Sequence, residues 1–126
     1  MNDIWQGPSW ASMEYGGRWK PLNYTIRRTF APVVTSIVRE NTYVNVYAVN
    51  DRRTDITIDN TVSLMDWSNK GSDGKVIFND LVVVQAGSSK LVASFENSEF
   101  EKLLTLNNCS SQACYLKASS YAVETE

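Results

Sequence analysis

Thr42-Tyr43-Val44-Asn45-Val46-Tyr47-Ala48-Val49 alternates along its whole length. Val44, Val46 and Ala48 fall on one side, and Tyr43, Asn45 and Tyr47 on the other. A side-chain period of two is the mark of a strand with one face turned to a core. Working outward, Asn50-Asp51-Arg52-Arg53 turns the chain. Asp55 to Trp67 then predicts one long strand or two, with Ile56 and Ile58 on one face, followed by Val62 and Leu64. The run from Asn69 to Gly74 is rich in turn formers. Lys75 to Val84 and Lys90 to Glu96 predict further strands, parted by Gln85-Ala86-Gly87-Ser88-Ser89. Glu96 to Leu104 predicts a short helix with Phe100, Leu103 and Leu104 inward, and Cys114 to Val123 a last strand. On the other side, Val33 to Arg39 predicts the first. Six or seven short strands parted by turns give an all-β fold, an immunoglobulin-like antiparallel β-sandwich, over residues 33–126. The cysteine–tryptophan–cysteine pattern of antibody domains is missing, because the only two cysteines lie five positions apart.

Composition narrows the chemistry. At 126 residues one sandwich can bury a sufficient core. A net charge of −2 argues against a nucleic-acid groove or attraction to an anionic membrane. No apolar run is long enough to cross a bilayer, and no signal peptide opens the chain. With no histidine, serine and cysteine triads of the usual kind are excluded, and two cysteines alone make no zinc site. Carboxylates are the catalytic groups that remain. No metal and no cofactor is expected.

Cys109 and Cys114 close into a small disulfide loop if the backbone turns; two reduced, buried thiols are the other reading. Asn108-Cys109-Ser110 and Asn23-Tyr24-Thr25 are N-glycosylation sequons. The cysteine pair beside a sequon on a polar loop points to an oxidising compartment. Asn23 falls in a predicted helix.

The first thirty-three residues have a different character. Trp5, Trp10 and Trp19, three of the four tryptophans, stand here with Tyr15, Tyr24 and Phe30. Gly7-Pro8 and Gly16-Gly17 punctuate them, so residues 2–20 read as a loop. Pro21 suits the first turn of a helix. Leu22, Ile26 and Phe30 follow at a spacing of four, Arg27 and Arg28 favour its C-terminal end, and Pro32 stops it. Glu14 is placed to pair with Arg18. Trp10 and Trp19 are assigned to packing. Tyr43 and Tyr47 share a strand face and form either an exposed platform or part of the cross-strand packing.

Asn2-Asp3-Ile4-Trp5-Gln6, Pro8-Ser9-Trp10, Glu14-Tyr15-Gly16-Gly17-Arg18-Trp19-Lys20, Arg27-Arg28 and Phe30-Ala31-Pro32-Val33 occur in that order. This run resembles the end of the catalytic barrel in β-mannosidases of glycoside hydrolase family two, above all the eukaryotic lysosomal members. The resemblance is dense over residues 2–34 and looser beyond. It implies that residues 1–32 are the last loop and helix of a (β/α)8 barrel, leading into the sandwich. It also implies a closing strand beyond this sequence, without which the last sheet edge is unpaired.

The parent enzyme would remove terminal non-reducing β-linked mannose from oligosaccharides with two carboxylates, roughly 5 Å apart in a retaining site. By the resemblance both glutamates lie upstream, so no catalytic residue is expected in this chain. Asn2, Asp3 and Trp5 would stand at the C-terminal rim of the barrel, where such active sites are built. Trp5 would either stack on a pyranose face or simply pack, and Asp3 and Asn2 would either bond hydroxyls or cap the loop. The implied partners are the rest of the barrel, within one polypeptide, and a β-mannoside oligosaccharide; no nucleic acid and no membrane is expected. The implied location is the lysosome, through a signal peptide outside this sequence. The rival reading is a non-catalytic carbohydrate- or protein-binding sandwich, with the aromatic segment as its binding edge.

Overall fold

The computed structural model describes residues 7–68 and 74–123. The chain divides into two compact units, Met1–Ala31 and Pro32–Glu126.

In the first unit, the loop predicted over residues 2–20 contains a tight reversal. Met13 and Trp19 form an isolated antiparallel bridge. The Glu14 N–H donates to the Arg18 carbonyl at 2.8 Å, and the Gly17 N–H to the Glu14 carbonyl at 3.0 Å. Gly16 and Gly17 stand at φ +83° and +84°, which side chains resist, so the double glycine makes the turn. Across it the Arg18 guanidinium bonds the Glu14 carboxylate at 2.8 Å, an exposed pair that adds little stability. Helix α1 (Pro21–Thr29) follows, with proline in the first turn and Arg27 and Arg28 in the last. It ends one residue earlier than the spacing predicts; the Phe30 N–H caps it on the Ile26 carbonyl at 2.9 Å.

The second unit is the immunoglobulin-like sandwich. Its strands are β1 (Val33–Glu40), β2 (Tyr43–Asn50), β3 (Ile56–Asp66), β4 (Lys75–Val84), β5 (Ser88–Glu96) and β6 (Cys114–Val123). They form two antiparallel three-stranded sheets, ordered β1-β2-β5 and β4-β3-β6. Asp55 to Trp67 holds one strand, not two. Helix α2 (Asn97–Leu106) lies between β5 and β6. Glu96 and Glu99 cap its start reciprocally, each side chain accepting from the other's backbone N–H. Leu104 is buried, while Phe100 and Leu103 are half-buried.

The core is built from alternating rows on three strands. Val44, Val46 and Ala48 of β2 face inward, as do Ile56, Ile58, Val62 and Leu64 of β3, with Val82 and Val84 from β4. Burying each Val, Ile or Leu stabilises by about 1.5–3 kcal/mol. Three asparagines share this burial. Asn60 accepts from the Thr35 hydroxyl of the opposite sheet at 2.7 Å and donates to the Ile58 carbonyl at 3.1 Å. Asn45, on the outer row of β2, is buried as well. It donates to Glu40 and accepts from Ser94, both at 2.6 Å. Asn50, fully buried at the end of β2, donates to three carbonyls and accepts the Arg52 N–H.

Candidate functional site

Asn2, Asp3 and Trp5 lie outside the described residues. What can be followed is the chain that continues from them. Lys20 Nζ donates to the Gly7 carbonyl at 3.1 Å and to the Ser9 hydroxyl at 3.2 Å. Trp19 meets Tyr24 edge to face, ring centroids 5.3 Å apart, which fits its assignment to packing. Trp10 differs: it is 95% exposed. Of the apolar residues at that spacing, Leu22 (49% exposed) and Phe30 (79%) stand in water and Ile26 is half-buried. A helix face with apolar residues at a spacing of four normally lies against a core. Here it is left open.

On the sandwich, Tyr43 is exposed and Tyr47 half-buried. The Tyr47 hydroxyl donates to the Glu40 carboxylate at 3.1 Å, and that bond holds its pKa above the ordinary tyrosine value. A different aromatic pair stands at the end of the other sheet. Register sets Met65 opposite Tyr115 and Asp66 opposite Cys114. The Trp67 N–H then continues onto the Ala113 carbonyl at 3.0 Å. This brings the Trp67 and Tyr115 rings to 4.0 Å between centroids at 32°, with Trp67 still 62% exposed. Beside them the Ser68 hydroxyl and N–H both donate to Asp66 at 2.7 Å, holding that carboxyl below its ordinary pKa. Sequence reading missed this pair. The only signal for it, a tryptophan closing β3, needs the β3–β6 register to become a site.

Cys109 and Cys114 are disulfide-bonded with Cα atoms 6.0 Å apart, closing the loop between α2 and β6. Asn108, at the start of that loop, is exposed with φ +53°. Asn23 is half-buried within α1. Among the described residues no group of three His, Cys, Asp or Glu gathers to hold a metal ion.

The outer face of the second sheet carries two cross-strand rows. Val83–Thr57–Val123 and Leu81–Asp59–Tyr121 lie side by side, and all four apolar members are exposed. Thr57 and Asp59 run between them, so the apolar side chains form two exposed strips, Leu81 with Val83 and Tyr121 with Val123, on either side of a polar centre.

Comparison with known proteins gives this geometry a family. Residues 42–125 match the mannosidase Ig/CBM-like domain. The chain is 39% identical to mouse β-mannosidase and 36% identical to the goat protein, each over 114 residues. Those alignments cover 90% of this chain but only 13% of either relative. Aspergillus oryzae β-mannosidase A is 56% identical over 36 residues, 29% of this chain and 4% of that protein. Among solved structures, a β-D-mannosidase from Dictyoglomus thermophilum superposes with a TM-score of 0.70 at 21% identity, over 96% of this chain and 13% of that one. That likeness shows the fold. The chain belongs to the mannosidase Ig/CBM-like domain family.

Proposed function

We propose that this chain is an accessory portion of a larger β-mannosidase-like enzyme of glycoside hydrolase family two. The enzyme removes terminal non-reducing β-linked mannose from oligosaccharides by a retaining, two-carboxylate mechanism. The observation that carries this reading is the disparity in coverage. The chain aligns with mouse β-mannosidase over nine-tenths of its own length yet spans only 13% of that relative.

The open surfaces support it. Trp10, Leu22 and Phe30 in the first unit, and the Leu81, Val83, Tyr121 and Val123 rows in the second, leave apolar area in water. Covering such area is favourable by about 25 cal/mol per Å². The rest of the catalytic barrel, in the same polypeptide, is the partner assigned to it. Residues 1–32 then complete the barrel, and the sandwich is a structural buttress. Trp5 lines the sugar site with its ring against the C–H face of mannose, and Asp3 and Asn2 bond its hydroxyls. The enzyme is lysosomal, delivered by a signal peptide outside this sequence.

In such a mechanism one carboxylic acid protonates the leaving oxygen while the other carboxylate attacks the anomeric carbon. Water then releases the sugar from that covalent intermediate. Two inversions leave the configuration unchanged. Proton NMR of a β-mannoside digest by the full-length enzyme should therefore show β-mannose first, with the α-anomer growing in by mutarotation. The α-anomer appearing first would contradict the retaining mechanism.

One observation favours a second reading, a carbohydrate-binding module. The outer face of Trp67, backed by Tyr115, suits the apolar side of a pyranose. In that case the chain alone should migrate more slowly through a gel containing mannan, and Trp67→Ala should abolish the retardation.

A further inference from the structure

At Asn108-Cys109-Ser110 an N-glycosylation sequon overlaps a disulfide-bonded cysteine. The turn that carries it is fastened from several sides. The Asn108 N–H donates to the Thr105 carbonyl at 3.0 Å, and the Cys109 N–H to the Leu104 carbonyl at 2.9 Å. The Ser110 carbonyl accepts from the N–H groups of Ala113 and Cys114, both at 3.0 Å. The Cys109–Cys114 disulfide crosses the same turn. Asn108 itself is exposed at φ +53°, a left-handed conformation that asparagine tolerates better than most residues. Ser110, Ser111 and Gln112 beside it are exposed too, so a bulky group attached there extends into solvent. The other sequon has the opposite setting. Asn23 is half-buried in the first turn of α1, and its N–H is bonded to the Lys20 carbonyl at 2.9 Å.

We propose that Asn108 accepts an N-linked glycan, that Asn23 does not, and that glycan transfer at Asn108 competes with closure of the Cys109–Cys114 disulfide. The proposal rests on the secretory location assigned under the proposed function. In the transfer step the Asn108 carboxamide nitrogen attacks the anomeric carbon of a lipid-pyrophosphate-linked oligosaccharide. The sugar–oxygen bond breaks, the lipid pyrophosphate leaves with the electron pair, and the carboxamide nitrogen gives up one proton.

The transferase reads the asparagine together with the hydroxyl two residues on. Asn108 and Ser110 must therefore bend toward each other in its site. Once Cys109 is tethered and its neighbours' amides are bonded, that freedom is gone. The competing reaction is local: only four residues separate the two thiols, so loop closure costs little entropy. Disulfide formation takes seconds to hours, depending on the oxidant and isomerase present. That range overlaps the time a nascent chain remains unfolded.

The test directs all 126 residues to the secretory pathway of eukaryotic cells and follows pulse-labelled chains in whole lysate by gel mobility, with and without peptide N-glycosidase. The readout does not require the variants to fold. A one-glycan shift is expected on part of the wild-type chains. Asn108→Gln and Ser110→Ala should each remove it, and Asn23→Gln should leave it. Cys114→Ser keeps the sequon intact and frees Cys109, so it should raise the glycosylated fraction; so should brief treatment of the cells with dithiothreitol. A shift that is absent, or that follows Asn23, overturns the acceptor assignment. A fraction unchanged by Cys114→Ser, whether full or partial, overturns the competition. Neither result touches the glycosidase reading, which stands or falls on the activity of the full-length protein.

Discussion

Asn50→Asp is expected to destabilise this chain by about 3–5 kcal/mol at neutral pH, because it buries an unpaired charge. Total stabilities of small domains are about 5–15 kcal/mol, so the loss is a large share. Asn50 has no exposed surface. Its Nδ2 donates to the carbonyls of Thr54 at 2.9 Å, Val84 at 3.1 Å and Gln85 at 3.2 Å, and its Oδ1 accepts the Arg52 N–H at 3.0 Å. One amide thus joins the end of β2, the turn after it and the end of β4. An ionised aspartate has no donor to offer, and it sets a charged oxygen against three carbonyl oxygens.

Burial and those carbonyls raise the folded-state pKa of the new carboxyl above its unfolded value of about 3.9. A group with a raised folded pKa keeps its stability below the unfolded pKa and loses it as pH rises through the folded one. The protonated acid can still donate one hydrogen bond. Urea unfolding of both proteins at pH 4 and pH 8 should therefore show the smaller difference at pH 4. Equal stability of variant and wild type at pH 8 would mean that this network does not hold the sheets together.

Much of this fold is legible without coordinates, and Asn50 marks where that stops. The alternation in Thr42–Val49 and again after Ile56 gives the inward rows of β2 and β3 directly, since side chains on a strand have no other period. Pro21, the four-residue spacing and Pro32 likewise bound α1 to within a residue. Element ends shift by one or two positions, as at Ser88 and Leu106, because terminal hydrogen bonds depend on the partner strand. Asn45, Asn50 and Asn60 read as polar surface or turn residues, yet all three are buried. Apart from the Ile58 carbonyl two residues before Asn60, their hydrogen-bond partners lie on other strands or in turns, and composition does not reveal such pairings. The Trp67–Tyr115 contact fails for the same reason: it exists only in the β3–β6 register. The Met13–Trp19 reversal is carried by Gly16-Gly17, a signal that marks a turn without stating which residues it joins. Asn2, Asp3 and Trp5, the residues assigned to the sugar, lie outside the described residues, so their role rests on the family resemblance.

The central claim is that these 126 residues support a glycosidase without containing its chemistry. A positioned acid or base contributes about 10²–10⁴-fold to a rate, and the covalent route needs a nucleophile as well. A chain with neither leaves the glycosidic bond to the uncatalysed rate. Glu14, a carboxylate of the barrel-like segment, is held by Arg18. The deciding measurement is hydrolysis of a panel of aryl β-glycosides, the mannoside included, by this chain and by the full-length protein side by side. The account predicts release from the β-mannoside by the full-length protein and none above buffer by the chain alone. Turnover by the chain alone, surviving repurification, would put the catalytic residues among these 126 and contradict it.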